Sequence, residues 1–313
     1  MSTYLVTGGA GFIGSNIVAS LVARGHSVRV LDDLSSGNLQ NLAPVMDRIA
    51  FHHGDIRDAR LVMSVVDGCD YVFHEAAIPS VVKSVEDPST THDVNINGTF
   101  NVFDAARRAG VKRVVFAGSS AVYGNSEVLP KVETMATAPL SPYALHKATG
   151  EQYGHLFTEL YGLEIVTLRY FNVFGPRQDP KSDYAAVIPR FITMMLAGKS
   201  VTIFGDGQQT RDFCYIDNVV EANLLACTAP GAAGRSFNIA CGLRISLLDL
   251  VERLNGILGT SLAPNHAPPR AGDIAHSVAD IRAAESGLGF VPAIDVTEGL
   301  ARTVAWFRGG QGG

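Results

Sequence analysis

The chain has 313 residues, 47% of them hydrophobic and 18% charged, with 32 glycines and a formal net charge of −5. This length allows one large α/β unit or two domains sharing a cleft, and the composition is that of a folded protein able to bury a sizeable core. Lys and Arg are scattered and the pI is near 6.0, which argues against a nucleic-acid surface; no stretch reaches the ~18 apolar residues of a membrane span.

Tyr4–Val6 reads as a strand and residues 12–24 as an amphipathic helix. Val28–Leu31 and Ile49–Phe51 are further strands, residues 58–66 a helix, and Tyr71–His74 a buried strand. Residues 92–109 read as one long helix closed by Gly110, followed by a strand at Val114–Ala117, a helix over 142–161 ending at Gly162, and a strand at Ile165–Leu168. This alternation implies a doubly wound parallel sheet, covered on both faces. The rhythm loosens after Arg169, with a helical piece at 187–197, turn signals at Gly205–Gly207 and a helix at 215–227. Ser236–Ile239 reads as a strand that could rejoin the first sheet, and helices follow at 246–258 and 296–307. The expected organisation is a nucleotide-binding domain of 1–168 plus 213–242, and a smaller discontinuous α/β domain of 169–212 plus 243–313. The four cysteines, Cys69, Cys214, Cys227 and Cys241, lack CxxC spacing, so reduced thiols are expected and no metal site. A glycine loop beginning by Thr7 leaves no room for a signal peptide, and the expectation is a cytoplasmic protein.

In TGGAGFIG, Gly8, Gly11 and Gly14 have G-x-x-G-x-x-G spacing between a strand and a helix. Glycines there let backbone approach a pyrophosphate, whose charge rests at the helix N-terminus. Alone the pattern is weak, because a glycine-rich chain makes tight turns for structural reasons. Asp32 strengthens it: it lies 18 residues beyond Gly14 at the end of the second strand, where a carboxylate accepts from a ribose diol. A 2′-phosphate would meet Asp32 and Asp33 with no adjacent arginine, so NAD is favoured over NADP. Asp55 and Ile56 follow the third strand, where the adenine edge would lie; an ordinary strand-end turn is the alternative.

Tyr143 and Lys147 are four apart on a helix and share a face. Tyrosine is a poor base at neutral pH, and a nearby ammonium plus a nicotinamide cation would lower its pKa. A surface aromatic beside a solvated charge is the bland alternative. Ser119 ends a parallel strand, where a hydroxyl points into the ligand crevice; it could hydrogen-bond a substrate oxygen and share a proton with Tyr143, or simply cap the next turn.

The ordered set TGGAGFIG, Asp32, GDI, Ser119, YALHK and RYFN resembles the extended short-chain dehydrogenase/reductases, and within them the NAD-dependent UDP-hexose 4-epimerases. The resemblance runs from about residue 3 to residue 307. It implies a sheet of Rossmann type in which Gly8, Gly11, Phe12, Ile13 and Gly14 line the pyrophosphate, Asp55 and Ile56 hold adenine, and Ala76 and Ala77 pass beside the cofactor. Lys147 would hold the nicotinamide ribose, Tyr143 act as acid/base, and Ser119 assist. Asn172, Val187, Arg211, Arg270 and Asp273 would meet the UDP portion of a UDP-sugar. A homodimer is implied through a four-helix bundle of the helices at 92–109 and 142–161.

Related dehydratases carry Thr-Asp-Glu where this chain has Ser119-Ser120-Ala121. Water elimination needs an acid and a base beyond the tyrosine, and Ala121 supplies neither; an epimerase remains. The short GDGQQTRD loop, Ala185-Ala186 and Ile78-Pro79 depart from the galactose-type pattern and look more like epimerases of N-acetylated UDP-hexosamines. Ser277 stands where a bulky tyrosine narrows the sugar pocket in some relatives, leaving volume for a 2-acetamido group, so UDP-N-acetylglucosamine is expected beside UDP-glucose. A UDP-uronate 4-epimerase, with Arg177 or Lys83 on the C6 carboxylate, is the alternative. A silent NAD-binding protein of the same fold is a further one.

Overall fold

A computed structural model describes residues 1–180, 186–269 and 275–309 of the chain. Its centre is a seven-stranded, wholly parallel sheet. In chain order the strands and helices begin β1 (Thr3–Thr7), α1 (Phe12–Ala23), β2 (Ser27–Asp32), β3 (Ile49–His53), α2 (Ala59–Val66) and β4 (Tyr71–His74). There follow α3 (Val81–Glu86), α4 (Pro88–His92), α5 (Thr99–Arg108), β5 (Arg113–Ser119), α6 (Pro142–Tyr161), β6 (Glu164–Tyr170) and β7 (Asn172–Phe174). The later elements are α7 (Val187–Leu196), β8 (Thr202–Phe204), β9 (Thr210–Arg211), β10 (Phe213–Tyr215), α8 (Ile216–Thr228), β11 (Ser236–Ile239) and β12 (Ile245–Ser246). The chain closes with α9 (Leu247–Leu258), β13 (Asn265–Ala267), α10 (Arg282–Leu288) and α11 (Val296–Arg308).

The main sheet runs β11-β6-β5-β4-β1-β2-β3. Its strands are runs such as Val114-Val115-Phe116, buried on both faces by two apolar clusters, as expected for a parallel sheet covered by helices. Strand order reverses direction between β1 and β4, and the carboxyl ends of those strands open the crevice that ligands use in such sheets. β11 rejoins the sheet beside β6, as the sequence suggested. The three remaining strand pairs, β7 with β10, β8 with β13 and β9 with β12, are short ribbons at the same end.

The continuous helix expected over 92–109 is interrupted. Residues Asp93–Gly98 form a π-helical turn between α4 and α5. The Asn95 amide accepts from the Ile78 N–H (2.8 Å) and donates to the Ile78 carbonyl (3.1 Å), tying the turn to the segment after β4. A Cβ at Gly98 would lie 2.6 Å from Ile56, so the turn also lets the chain pass close to β3's end. Short α3 and α10 have too few apolar repeats to show in the sequence pattern. Behind the sheet, buried Arg169 donates to Glu151 of α6 (Nε to Oε2, 3.0 Å) and to the Tyr123 hydroxyl (2.7 Å), which donates to Asn238 of β11. This network ties α6, the sheet edge and the segment after β5 together.

Candidate functional site

The crevice holds a cavity of about 750 Å³ lined from six strand ends: the β1–α1 loop, the end of β2, the residues after β3 and β4, Ser119 at the end of β5, and Tyr170 at the end of β6. Gly8, Gly11, Phe12, Ile13 and Gly14 line it together. Gly8 has φ +68°, and a Cβ there would lie 2.7 Å from the Ala76 backbone nitrogen. A Cβ on Gly14 would lie 2.2 Å from the Gly8 carbonyl oxygen. The loop is therefore glycine because β4's extension and helix α1 both press against it, leaving backbone N–H groups at the helix start facing the cavity. Such a cradle fits the pyrophosphate of NAD.

Asp32 is buried and accepts from the Ala10 N–H (2.9 Å) and the Leu34 N–H (2.8 Å). Burial pushes its carboxyl group above the ordinary value, and the two backbone N–H groups pull it back. Asp33 accepts from Ser35 instead. Ile56 is buried against the cavity wall. Asp55 also lines it, with a feature the sequence reading missed: the Arg57 guanidinium pairs with its carboxylate at 2.6 Å and holds its pKa low. Asp55 meets any ligand as a firmly ionised acceptor already sharing one partner.

Ala76, Ala77, Ile78 and Pro79 continue the wall. Their path is fixed by a directed chain of buried hydrogen bonds. Thr99 donates to the Asn95 carbonyl (2.8 Å), so its oxygen accepts from His74 Nε2 (3.0 Å); His74 Nδ1 must then accept from Thr7 (2.7 Å). This assignment requires a neutral imidazole. Burial first, then the charge of Lys147, drives the His74 pKa down to about 3.

Ser119 and Tyr143 face the same cavity. The Ser119 oxygen caps the next turn by accepting from the Ala121 N–H (3.1 Å), and its hydroxyl is near enough to Tyr143 to lower the phenol's pKa. Tyr143 is held at the start of α6, where its N–H donates to Ser84 (3.1 Å). Lys147, one turn on, is 5% exposed, donates to the Ala117 carbonyl (2.8 Å) and lies over the Phe116 ring. The protein's own charges do not lower the Tyr143 phenol. Burial raises its pKa, the Ser119 hydroxyl lowers it, and Glu75 raises it again. Glu75 is the largest omission of the sequence reading. It lines the cavity, half-buried, accepts from the Tyr170 hydroxyl (2.8 Å), and desolvation carries its pKa up to about 7 against the pull of Tyr170 and Lys147.

Asn172 and Val173 continue from this cavity into a second one of about 280 Å³, lined also by Val187, Arg190, Phe204 and Arg211. Arg211 donates to the Thr210 carbonyl (2.9 Å). The strand that carries it is clamped by the next residue: buried Asp212 accepts from the N–H groups of Cys241 (2.9 Å), Gly242 (3.0 Å) and Ala279 (3.1 Å). Ser277 donates its N–H to Thr210 (3.1 Å) and is not among the described lining of either cavity. Arg270, Asp273 and Ala185 lie outside the described residues. Arg177, at φ +72°, donates to the Ser15 carbonyl (2.7 Å) and is absent from the described lining, as is Lys83 of α3. The four cysteines are unpaired, and among the described residues no helix is long and apolar enough to cross a membrane.

Comparison with known proteins places this geometry. The model of the NAD dependent epimerase/dehydratase family matches residues 4–240. A UDP-glucose 4-epimerase of Mycolicibacterium smegmatis is 42% identical over 308 residues, covering 97% of this chain and 98% of that one. The UDP-N-acetylglucosamine 4-epimerase from Methanobrevibacter ruminantium M1, solved with UDP-N-acetylmuramic acid, superposes with a TM-score of 0.95 at 40% identity over 99% of both chains. The UDP-glucose 4-epimerase of Thermotoga maritima, solved with UDP-glucose, gives a TM-score of 0.93 at 39% identity over 98% of this chain and 99% of that one.

Proposed function

Because the chain belongs to the NAD-dependent epimerase/dehydratase family, we infer that it is an isomerase, a UDP-sugar 4-epimerase using tightly held NAD. The observation that carries this reading is the convergence on one cavity of the glycine loop, Asp32, Ser119 and Tyr143, continuous through Asn172 with the Arg211 pocket. In the proposed division, 1–168 with 213–242 hold the dinucleotide, and 169–212 with 243–313 hold the sugar nucleotide. Gly8, Gly11, Phe12, Ile13 and Gly14 take the pyrophosphate, Asp32 the adenosine ribose, Asp55 and Ile56 the adenine, and Ala76 and Ala77 flank the cofactor. NAD held by these residues would supply reversible hydride acceptance for the sugar C4.

Tyr143 removes the proton of the sugar O4 and gives it back, so it ends each cycle as it began. Ser119 donates to the phenolate or to O4 and keeps the two oxygens in register. Lys147, fixed by Ala117 and Phe116, supplies the positive charge under the reacting centre and a donor for the nicotinamide ribose. Asn172, Val187 and Arg211, with Arg270 and Asp273, hold the UDP portion while the 4-keto sugar presents its other face. Ala121 leaves the site without the carboxyl group that water elimination uses at that position.

UDP-N-acetylglucosamine is the proposed substrate beside UDP-glucose, supported by small or apolar residues at Ala186 and Ile78-Pro79; Ser277, off the described lining of both cavities, is proposed on its place in the sequence alone. A uronate 4-epimerase is less well supported, since Arg177 is committed to Ser15. A second copy of the chain is the proposed partner, through the helical segments at 92–109 and 142–161. Leu145, Leu156 and Leu160 of α6 and Phe100 of α5 are exposed there. Light scattering reads that state directly. Separate incubations with UDP-glucose, UDP-N-acetylglucosamine and UDP-glucuronate, resolved for C4 epimers, test the reaction. Epimers of the first two are expected; bound NAD with no epimer from any of the three contradicts the proposal.

A further inference from the structure

The mechanism leaves an acid of the cavity wall, Glu75, unused. Glu75 sits one residue past the His74–Phe116 pair of the sheet, and Lys147 is anchored on Ala117, one residue past Phe116. Glu75 shares a cavity wall with Ser119 and Tyr143. Its carboxylate has a built holder: the Tyr170 hydroxyl donates to it at 2.8 Å, and Asn223, whose amide also donates to Val219 (2.8 Å), donates to the Tyr170 oxygen at 2.9 Å. The Asn223 amide oxygen, 3.0 Å from the same hydroxyl, is a second acceptor for the tyrosine proton, with Glu75 the nearer of the two.

We propose that Glu75 is a positioning residue for charge: it takes up a proton when Tyr143 becomes a phenolate, so that the two hold a single negative charge beside the buried Lys147 ammonium. The inference rests on Tyr143 being the acid/base of the reaction. In the step that readies the site, the Tyr143 O–H bond is lost, an O–H bond forms on Glu75, and Lys147 keeps its protons. Net charge is unchanged, which matters because an extra charge held away from bulk water is costly. With Glu75 ionised, its charge opposes the phenolate.

The groups that face Glu75 can be taken element by element. Lys147 and Tyr143 come from α6, Tyr170 from β6, Ser119 from β5 and Asn223 from α8. His74 on β4 stays neutral under burial and Lys147. Burial, with Glu75 close by, likewise holds Tyr170 protonated, so Glu75 and Tyr143 are the pair left to share the negative charge against Lys147.

The test is a tyrosinate ultraviolet difference titration of the NAD-bound protein, alongside the pH profile of kcat/KM. Subtracting Tyr143→Phe isolates one tyrosine among the nine. In Glu75→Gln, which copies the protonated acid, Tyr143 is expected to ionise roughly one pH unit lower, with the kcat/KM bell moving the same way. A Tyr143 titration that stays in place or moves up in Glu75→Gln overturns the proposal. Tyr170→Phe removes the hydrogen bond that favours ionised Glu75 and should move the titration in the same direction by less. If Glu75→Gln does not fold, an unmoved titration in Tyr170→Phe overturns it instead. The titration needs no substrate, so failure of the epimerase reading, seen as normal turnover in Tyr143→Phe, is separable from failure of this one.

Discussion

Replacing Gly8 with Ala probes the one place where the cofactor loop, the sheet and the reacting residues meet. Gly8 has φ +68°, a conformation that costs an L-residue about 1–2 kcal/mol. A Cβ there would also meet Ala76 N at 2.7 Å and Ala76 Cα at 2.8 Å. These are backbone atoms at the end of a central strand, so they yield only by moving β4's extension, at an overpacking cost of about 1–3 kcal/mol more. Gly25, at the end of α1, has φ +78°, and a Cβ there would meet nothing within 4 Å, so Gly25→Ala carries the conformational cost alone. Thermal unfolding should place Gly8→Ala below Gly25→Ala by roughly 2–12 °C, since 1 kcal/mol moves a chain of this size by about 2–4 °C. The NAD retained through purification should fall in Gly8→Ala only. Equal melting points with equal NAD content would refute the claim that close passage of Ala76, rather than backbone conformation, requires glycine at residue 8.

Further outcomes follow from the same geometry. Tyr143→Phe should lose turnover while NAD stays bound, measured by epimer analysis and by cofactor released on denaturation. Lys147 is driven by burial from the ordinary 10.5 down to about 8, with Glu75 pulling the other way. Activity that needs its ammonium is therefore full below that value and falls as pH rises through it; Lys147→Met should flatten this alkaline limb. Ser277→Tyr should depress turnover of UDP-N-acetylglucosamine more than of UDP-glucose, and equal losses would remove Ser277 from specificity. Arg169→Met strands buried Glu151 without its partner, a loss of about 3–5 kcal/mol read by chemical denaturation. Removing Glu151 as well should restore much of it.

The parts legible in the sequence were those with a local signature. Val114–Ala117 and Tyr71–His74 announce buried parallel strands by composition alone, and Gly162, at φ +70°, closes α6 where expected. The glycine spacing and Asp32 mark the crevice because strand, turn and helix are contiguous there. The break at Asp93–Gly98 was hidden because it depends on Asn95 reaching Ile78, a tertiary contact invisible to helical periodicity. Glu75 and Asp212 were passed over for a related reason. Each is a carboxylate in an apolar strand-end context, but its partners, Tyr170 for one and the Cys241, Gly242 and Ala279 N–H groups for the other, are remote in sequence. A charge among apolar residues at the carboxyl end of a parallel strand was the available signal for Glu75. Arg57 shows the opposite limit, since its pairing with Asp55 is local yet has no pattern that separates it from a solvated surface charge.

The central claim, that a hydride leaves C4 and returns to it within one molecule while Tyr143 handles the O4 proton, is tested most directly with UDP-N-acetylglucosamine or UDP-glucose deuterated at C4. The account predicts that the C4 epimer forms with the deuterium still on C4 and that Tyr143→Phe forms none. An epimer that has exchanged its C4 deuterium for solvent hydrogen would contradict it.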